Sequence, residues 1–172
     1  MVKNSLLCLS SISLSDPIIE KNTARSEIIV TESDETEHCF EIMNKYEAEL
    51  QSSHLPLLRL AFCMPLLNYG LFSKKIQLSF PISKADFSLL NDLHIVFSRD
   101  IFVNKIAQGT NPYILPEFFP DQEKIKPIDG NPKAIIQPTQ LSNDVPINGS
   151  MDSMKSGVLS SGGKDSLLTY GL

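Results

Sequence analysis

Gly157-Val-Leu-Ser-Ser161-Gly-Gly-Lys-Asp-Ser166-Leu-Leu-Thr-Tyr-Gly-Leu172 is the stretch on which the reading of this chain turns. A short apolar run, Val158 and Leu159, leads into Ser161-Gly162-Gly163, and Lys164 to Leu168 then has the composition of a helix start. The pattern predicts a buried strand, a tight glycine turn and the first turn of a helix. Paired glycines allow positive φ and let backbone N–H groups approach a ligand with no Cβ in the way. The helix that follows offers unpaired N–H donors and the positive end of its dipole. Together they make a seat for phosphate or pyrophosphate.

Spacing decides which kind of seat. A Walker A loop requires G-x-x-x-x-G-K-[ST]. Counting from Gly157, Gly163 stands where the lysine belongs, and Lys164 is followed by Asp165 rather than a hydroxyl residue. The dinucleotide pattern G-x-G-x-x-G is not supplied by Gly162-Gly163 either. The string Ser161-Gly162-Gly163-Lys164-Asp165-Ser166 resembles the pyrophosphate-binding loop of the PP-loop superfamily, the N-type ATP pyrophosphatases.

That resemblance covers about the last 16 residues, and its implications are specific. Backbone N–H groups from Gly162 to Ser166 hold the β,γ-pyrophosphate of ATP, and the hydroxyls of Ser161 and Ser166 add hydrogen bonds. Lys164 supplies positive charge. Asp165 orients the loop or helps to hold Mg²⁺. Members of the superfamily split ATP to AMP and pyrophosphate and place the AMP on a substrate carbonyl or carboxyl, which nitrogen or sulfur then attacks. Lys164 and Asp165 are thus the candidate catalytic residues, and Ser161 to Ser166 the candidate ATP site. No protein-ligated metal site is expected. The substrate, a small molecule or a tRNA, is left open. So is a second reading, in which a nucleotide-type fold serves a non-adenylating role, as in a muramoyl-peptide glutamate epimerase family that carries a similar loop behind an N-terminal domain.

Only six residues follow Ser166. Isolated helices shorter than about 12–15 residues are marginal, and a nucleotide-binding parallel sheet needs further βα units. The expectation is therefore an N-terminal portion of a longer protein that does not turn over ATP alone. The expected fold class is an α+β accessory unit over 1–108, a Pro-rich connector over 109–155, and the first strand, loop and helix of a truncated α/β, Rossmann-like domain over 156–172.

Bulk properties narrow the partners. A net charge of −5 and a pI near 5.2 give no global basic surface for nucleic acid or anionic membrane. Cys8, Cys39 and Cys63 are odd in number and widely spaced, with no C-x-x-C pair. That argues for a reducing, cytoplasmic setting and against a disulfide framework, a zinc site or the paired cysteines common in tRNA thiolases. The diphthamide-forming amidases of the superfamily usually follow the loop with a cysteine, and here Leu167 follows it. No apolar run reaches 18 residues, so no membrane partner is expected. Residues 5–14 read as a strand or leader rather than a signal peptide, because serines interrupt the run.

Working back along the chain, 5–14 and Ser26–Thr31 read as strands, with a turn at Asp16-Pro17. Residues 34–51 predict a helix, because Cys39, Ile42, Met43, Tyr46 and Leu50 recur at helical spacing. Leu57 to Phe72 is the most apolar stretch, and Pro65 inside it predicts a short helix to Met64 followed by irregular chain. Arg59, Asn68 and Tyr69 read first as packing residues with one satisfied charge and second as pocket residues. Lys74–Phe80 alternates as a half-buried strand. Ser83 and Asp86 form a capping box for a helix carrying Phe87, Leu90, Leu93 and Phe97. His94 on that helix reads as a satisfied structural histidine, since no second ligand has metal spacing. Seven of the eleven prolines fall between 109 and 155, which sets the connector apart. Residues 110–136 are expected to pack across the N-terminal unit, and 139–155 to be mobile. Residues 1–150 show no catalytic constellation of their own.

Overall fold

A computed structural model describes residues 6–109, 111–112, 119 and 121–143. They form a mixed α+β unit: one main sheet with two α-helices on it. Strand β1 (Leu9–Leu14) runs through the turn at Asp16-Pro17 into β2 (Ile18–Glu20). Both pair antiparallel with the long β3 (Thr23–Glu32), which pairs on its other side with β4 (Glu37–Lys45). Strand β5 (Lys75–Leu78) joins β1 in parallel, and β7 (Ile135–Pro138) joins β5 in parallel. A two-residue parallel pair, β6 (Ile82–Ser83) with β8 (Leu141–Ser142), stands apart.

The helices are α1 (Leu55–Cys63) and α2 (Lys84–Ile101). Pro56 sits in the first turn of α1, where its missing N–H costs nothing. Pro65 ends regular α-structure, and Met64–Tyr69 tightens to a 3₁₀ turn. Ser83 caps α2 by accepting the Asp86 N–H at 3.1 Å, and its hydroxyl donates to the Asp86 carboxylate at 2.8 Å. The end of α2 widens into a π-helical turn, Phe102–Ala107.

Alternation places the core on one face of the sheet. Ile12 and Leu14 of β1, and Ile76 and Leu78 of β5, point inward beside Ala24 and Ile136. Leu58, Phe62 and Cys63 of α1 and Leu90 of α2 pack onto them. Fully burying a side chain of this size contributes about 1.5–3 kcal/mol. Lys75 and Gln77, on the opposite face of β5, are exposed. The helices thus cover one face, and the other is open among the described residues.

Two expectations are corrected here. Residues 34–51 are not a helix: Glu37–Lys45 is the strand β4, paired with β3 without a register break from Thr31↔Glu37 to Thr23↔Lys45. The periodicity of Cys39, Ile42 and Met43 yields to a long antiparallel ladder that local propensity does not see. Residues 135–138, within the expected connector, do not lie across the surface but add strand β7 to the sheet, because Ile136 completes the buried row beside Ile76.

Candidate functional site

The loop Ser161–Ser166 lies outside the described residues, as does all of 144–172. The described unit offers two other places where chemistry-bearing side chains gather.

The first is a groove of about 750 Å³ where α2 ends. The π-helical turn sends Phe102, Val103 and Ala107 to one wall, and Ile125, Pro127 and Ile128 form the other. Gly130 lets the two walls approach, since a Cβ there would stand 3.2 Å from the Phe102 ring. Two cations, Arg99 and Lys126, are among the lining residues. Arg99 donates from Nε and Nη2 to the Asn131 side-chain oxygen at 3.1 and 3.0 Å. Among the described residues neither cationic side chain pairs with a carboxylate. Apolar walls with two cations that pair with no carboxylate among the described residues suit an apolar group that carries negative charge. Sequence reading did not single these residues out. The available signal was the interleaving of Ile125 and Ile128 with Lys126 in a Pro-rich stretch.

The second place is the contact between α2 and the turn at Gly70. His94 and Ser98, one helical turn apart, are 3% and 1% exposed. A Cβ on Gly70 would lie 2.3 Å from His94 Nε2 and 2.4 Å from Ser98 Oγ. Neither atom has a hydrogen-bond partner among the described residues. His94 is expected from the sequence to be satisfied, but its buried Nε2 finds no hydrogen-bond partner among the described residues. Burial pushes its pKa below the usual histidine value, because desolvation disfavours the charged ring.

The other singled-out residues lie outside the groove. Arg59 is bound by Asp16, and Tyr69 and Asn68 are exposed and do not line the groove. Cys63 is buried, which pushes its thiol up to about 12 and leaves it a poor nucleophile. Cys39 sits on exposed β4 and donates to the Glu27 carboxylate at 2.8 Å, a bond that raises its pKa first, with desolvation adding to it. No cluster of three metal-ligating side chains occurs among the described residues, and no helix there is long and apolar enough to cross a membrane. No family model, curated protein or solved structure matches the chain.

Proposed function

We propose that this chain belongs to an ATP-using protein of the PP-loop type, which binds ATP through Ser161–Ser166 and transfers AMP to a substrate. The six-residue string Ser-Gly-Gly-Lys-Asp-Ser, placed after an apolar strand-like run, carries the reading. The backbone N–H groups of Gly162 to Ser166 receive the pyrophosphate oxygens, and Lys164 offsets their charge. Asp165 orients the loop or contributes to Mg²⁺ binding. The substrate oxygen attacks the α-phosphorus, the α–β bridge breaks, and pyrophosphate leaves. The parallel arrangement of β1, β5 and β7 is compatible with a neighbouring nucleotide-binding sheet. The groove at Arg99 and Lys126 is the described feature best suited to an acidic small-molecule substrate.

Calorimetric titration of the full-length protein with ATP and Mg²⁺ tests the loop. Binding should be competed by inorganic pyrophosphate and lost in both Asp165→Ala and Gly163→Val. Binding that survives both substitutions overturns the assignment. Formation of AMP and pyrophosphate in stoichiometric step with substrate consumption separates adenylation from a non-adenylating use of the same loop.

A further inference from the structure

Strand β4 is an edge: it pairs with β3 and with no other strand among the described residues. Its free side can be identified from the ladder. The Glu32 N–H donates to the Thr36 carbonyl at 2.9 Å, and the Tyr46 N–H to the Asn22 carbonyl at 2.8 Å. Even-numbered residues therefore exchange bonds with β3, and the unbroken register carries that parity along the strand. The N–H and C=O groups of Glu37, Cys39, Glu41, Met43 and Lys45 point outward. An edge of nine residues with a straight register is a template for another strand. It is not blunted by proline or a bulge, and Phe40 and Met43 on it are 55% and 61% exposed.

The sequence of this edge complements itself. We propose that β4 pairs antiparallel with β4 of a second copy of this chain, about a two-fold axis at Glu41. That register sets Glu37 opposite Lys45 of the second copy, and Lys45 opposite its Glu37. Phe40 falls opposite Ile42, and Cys39 opposite Met43, each twice by symmetry. The outward residues then form the hydrogen-bonded pairs. The like charges at the centre are moderated on each side, because Arg25 Nη1 lies 3.4 Å from Glu41 Oε2. Shifting the axis to Phe40 sets Glu37 against Met43 and Cys39 against Glu41. Shifting it to Ile42 sets Phe40 against Asn44 and leaves Lys45 facing Cys39. Of these three registers, the Glu41 axis is the one that sets Glu37 against Lys45 at both ends and Phe40 against Ile42 between them. On the inner face, Phe40 lies beside Ile28, and Ile28 and Ile42 already pack against the main core. The two cores would join across the strands as an isologous, closed interface. The occupant is thus a second copy; another protein adding a strand to the same edge is the competing outcome.

Sedimentation equilibrium of the chain over a wide concentration range should show a reversible monomer–dimer equilibrium. Lys45→Glu turns two attractions into two repulsions and should raise the dimer Kd about tenfold. Adding Glu37→Lys to it should restore the dimer, which a merely structural effect of Lys45→Glu would not do. In a Cys8→Ser, Cys39→Ser background, Glu41→Cys places two thiols directly opposite, within disulfide range for a facing strand pair, and should cross-link on mild oxidation. Monomer at every concentration overturns the proposal. So does a dimer indifferent to the charge exchange, or one in which Glu41→Cys does not cross-link.

Discussion

Arg59 of α1 grips Asp16, in the turn between β1 and β2, with Nε donating to one carboxylate oxygen at 2.8 Å and Nη2 to the other at 2.5 Å. The guanidinium also lies 5.4 Å from the centre of the Phe80 ring. The Arg59 side chain is only 18% exposed, whereas Asp16 is 43% exposed. The fork ties the first helix to the corner of the sheet and satisfies a charge that sits over apolar surface.

Removing the acid leaves that charge partly desolvated with no partner. Asp16→Ala should cost about 1–3 kcal/mol of stability. Combining Asp16→Asn with Arg59→Met should cost less, because it removes both charges and keeps apolar contact with Phe80. Urea unfolding midpoints of the two variants check the order.

Gly70 is constrained by space rather than by dihedral angle. Its φ of −55° suits any residue, yet a Cβ would collide with His94 Nε2 and Ser98 Oγ. Its carbonyl accepts the N–H groups of Lys133 and Ala134, the residues that lead into β7. Gly70→Ala should therefore push α2 away and loosen the edge of the sheet, at a cost of about 1–3 kcal/mol, the range for overpacking. His94→Ala in the same chain should recover part of the loss, so the double variant is more stable than the sum of the two single effects. Strict additivity in a thermodynamic cycle would show that the steric contact is not the cause.

His94 makes a pH dependence whose sign is fixed. Desolvation lowers its folded-state pKa below the ordinary histidine value near 6.5. The unfolded chain therefore takes up a proton first as pH falls through about 6.5, and the folded chain does not until lower pH. This residue's contribution is fully present above that range and is lost progressively as pH falls toward the folded-state value. Urea midpoints at pH 7.5 and 5.5 should differ more for the native chain than for His94→Leu. Equal differences would mean that His94 does not carry the effect.

Much of this architecture can be read locally. Proline in the first turn of α1, the Ser83 cap, and the alternation of Ile76 and Leu78 are each set by residues a few positions apart. The strand β4 cannot be read that way. Glu37–Lys45 has apolar residues at spacings that fit a helix, and only the facing β3, reached through the turn at Ser33–Thr36, makes the strand preferable. Ile135–Pro138 was obscured by the surrounding prolines. Pro138 is tolerated because it closes β7, which is an edge strand among the described residues. Of the candidate sites, the proposed phosphate loop at Ser161–Ser166 rests on glycine spacing, which is legible in the sequence itself. The groove is not, because Arg99 and Lys126 meet only through the path of the chain between them.

The three thiols report separately on the fold. Cys8 and Cys39 are exposed, and Cys63 is buried between α1 and the sheet. Each thiol is held above its ordinary pKa: Cys8 chiefly by desolvation, Cys39 chiefly by its bond to Glu27, and Cys63 by burial, to about 12. The thiolate is the reactive form. Near neutral pH the native chain should react slowly with an aromatic disulfide reagent at Cys8 and Cys39, and not at Cys63. The rate at the first two should rise with pH, and Glu27→Gln should quicken Cys39 alone, because it removes the carboxylate that holds its proton. Cys63 should react only at the rate of global unfolding, so its modification in urea should follow the same midpoint as the far-ultraviolet signal. Reaction of all three thiols in the native state, followed by mass spectrometry of the labelled peptides, would contradict the packing of α1 on β1 and β5.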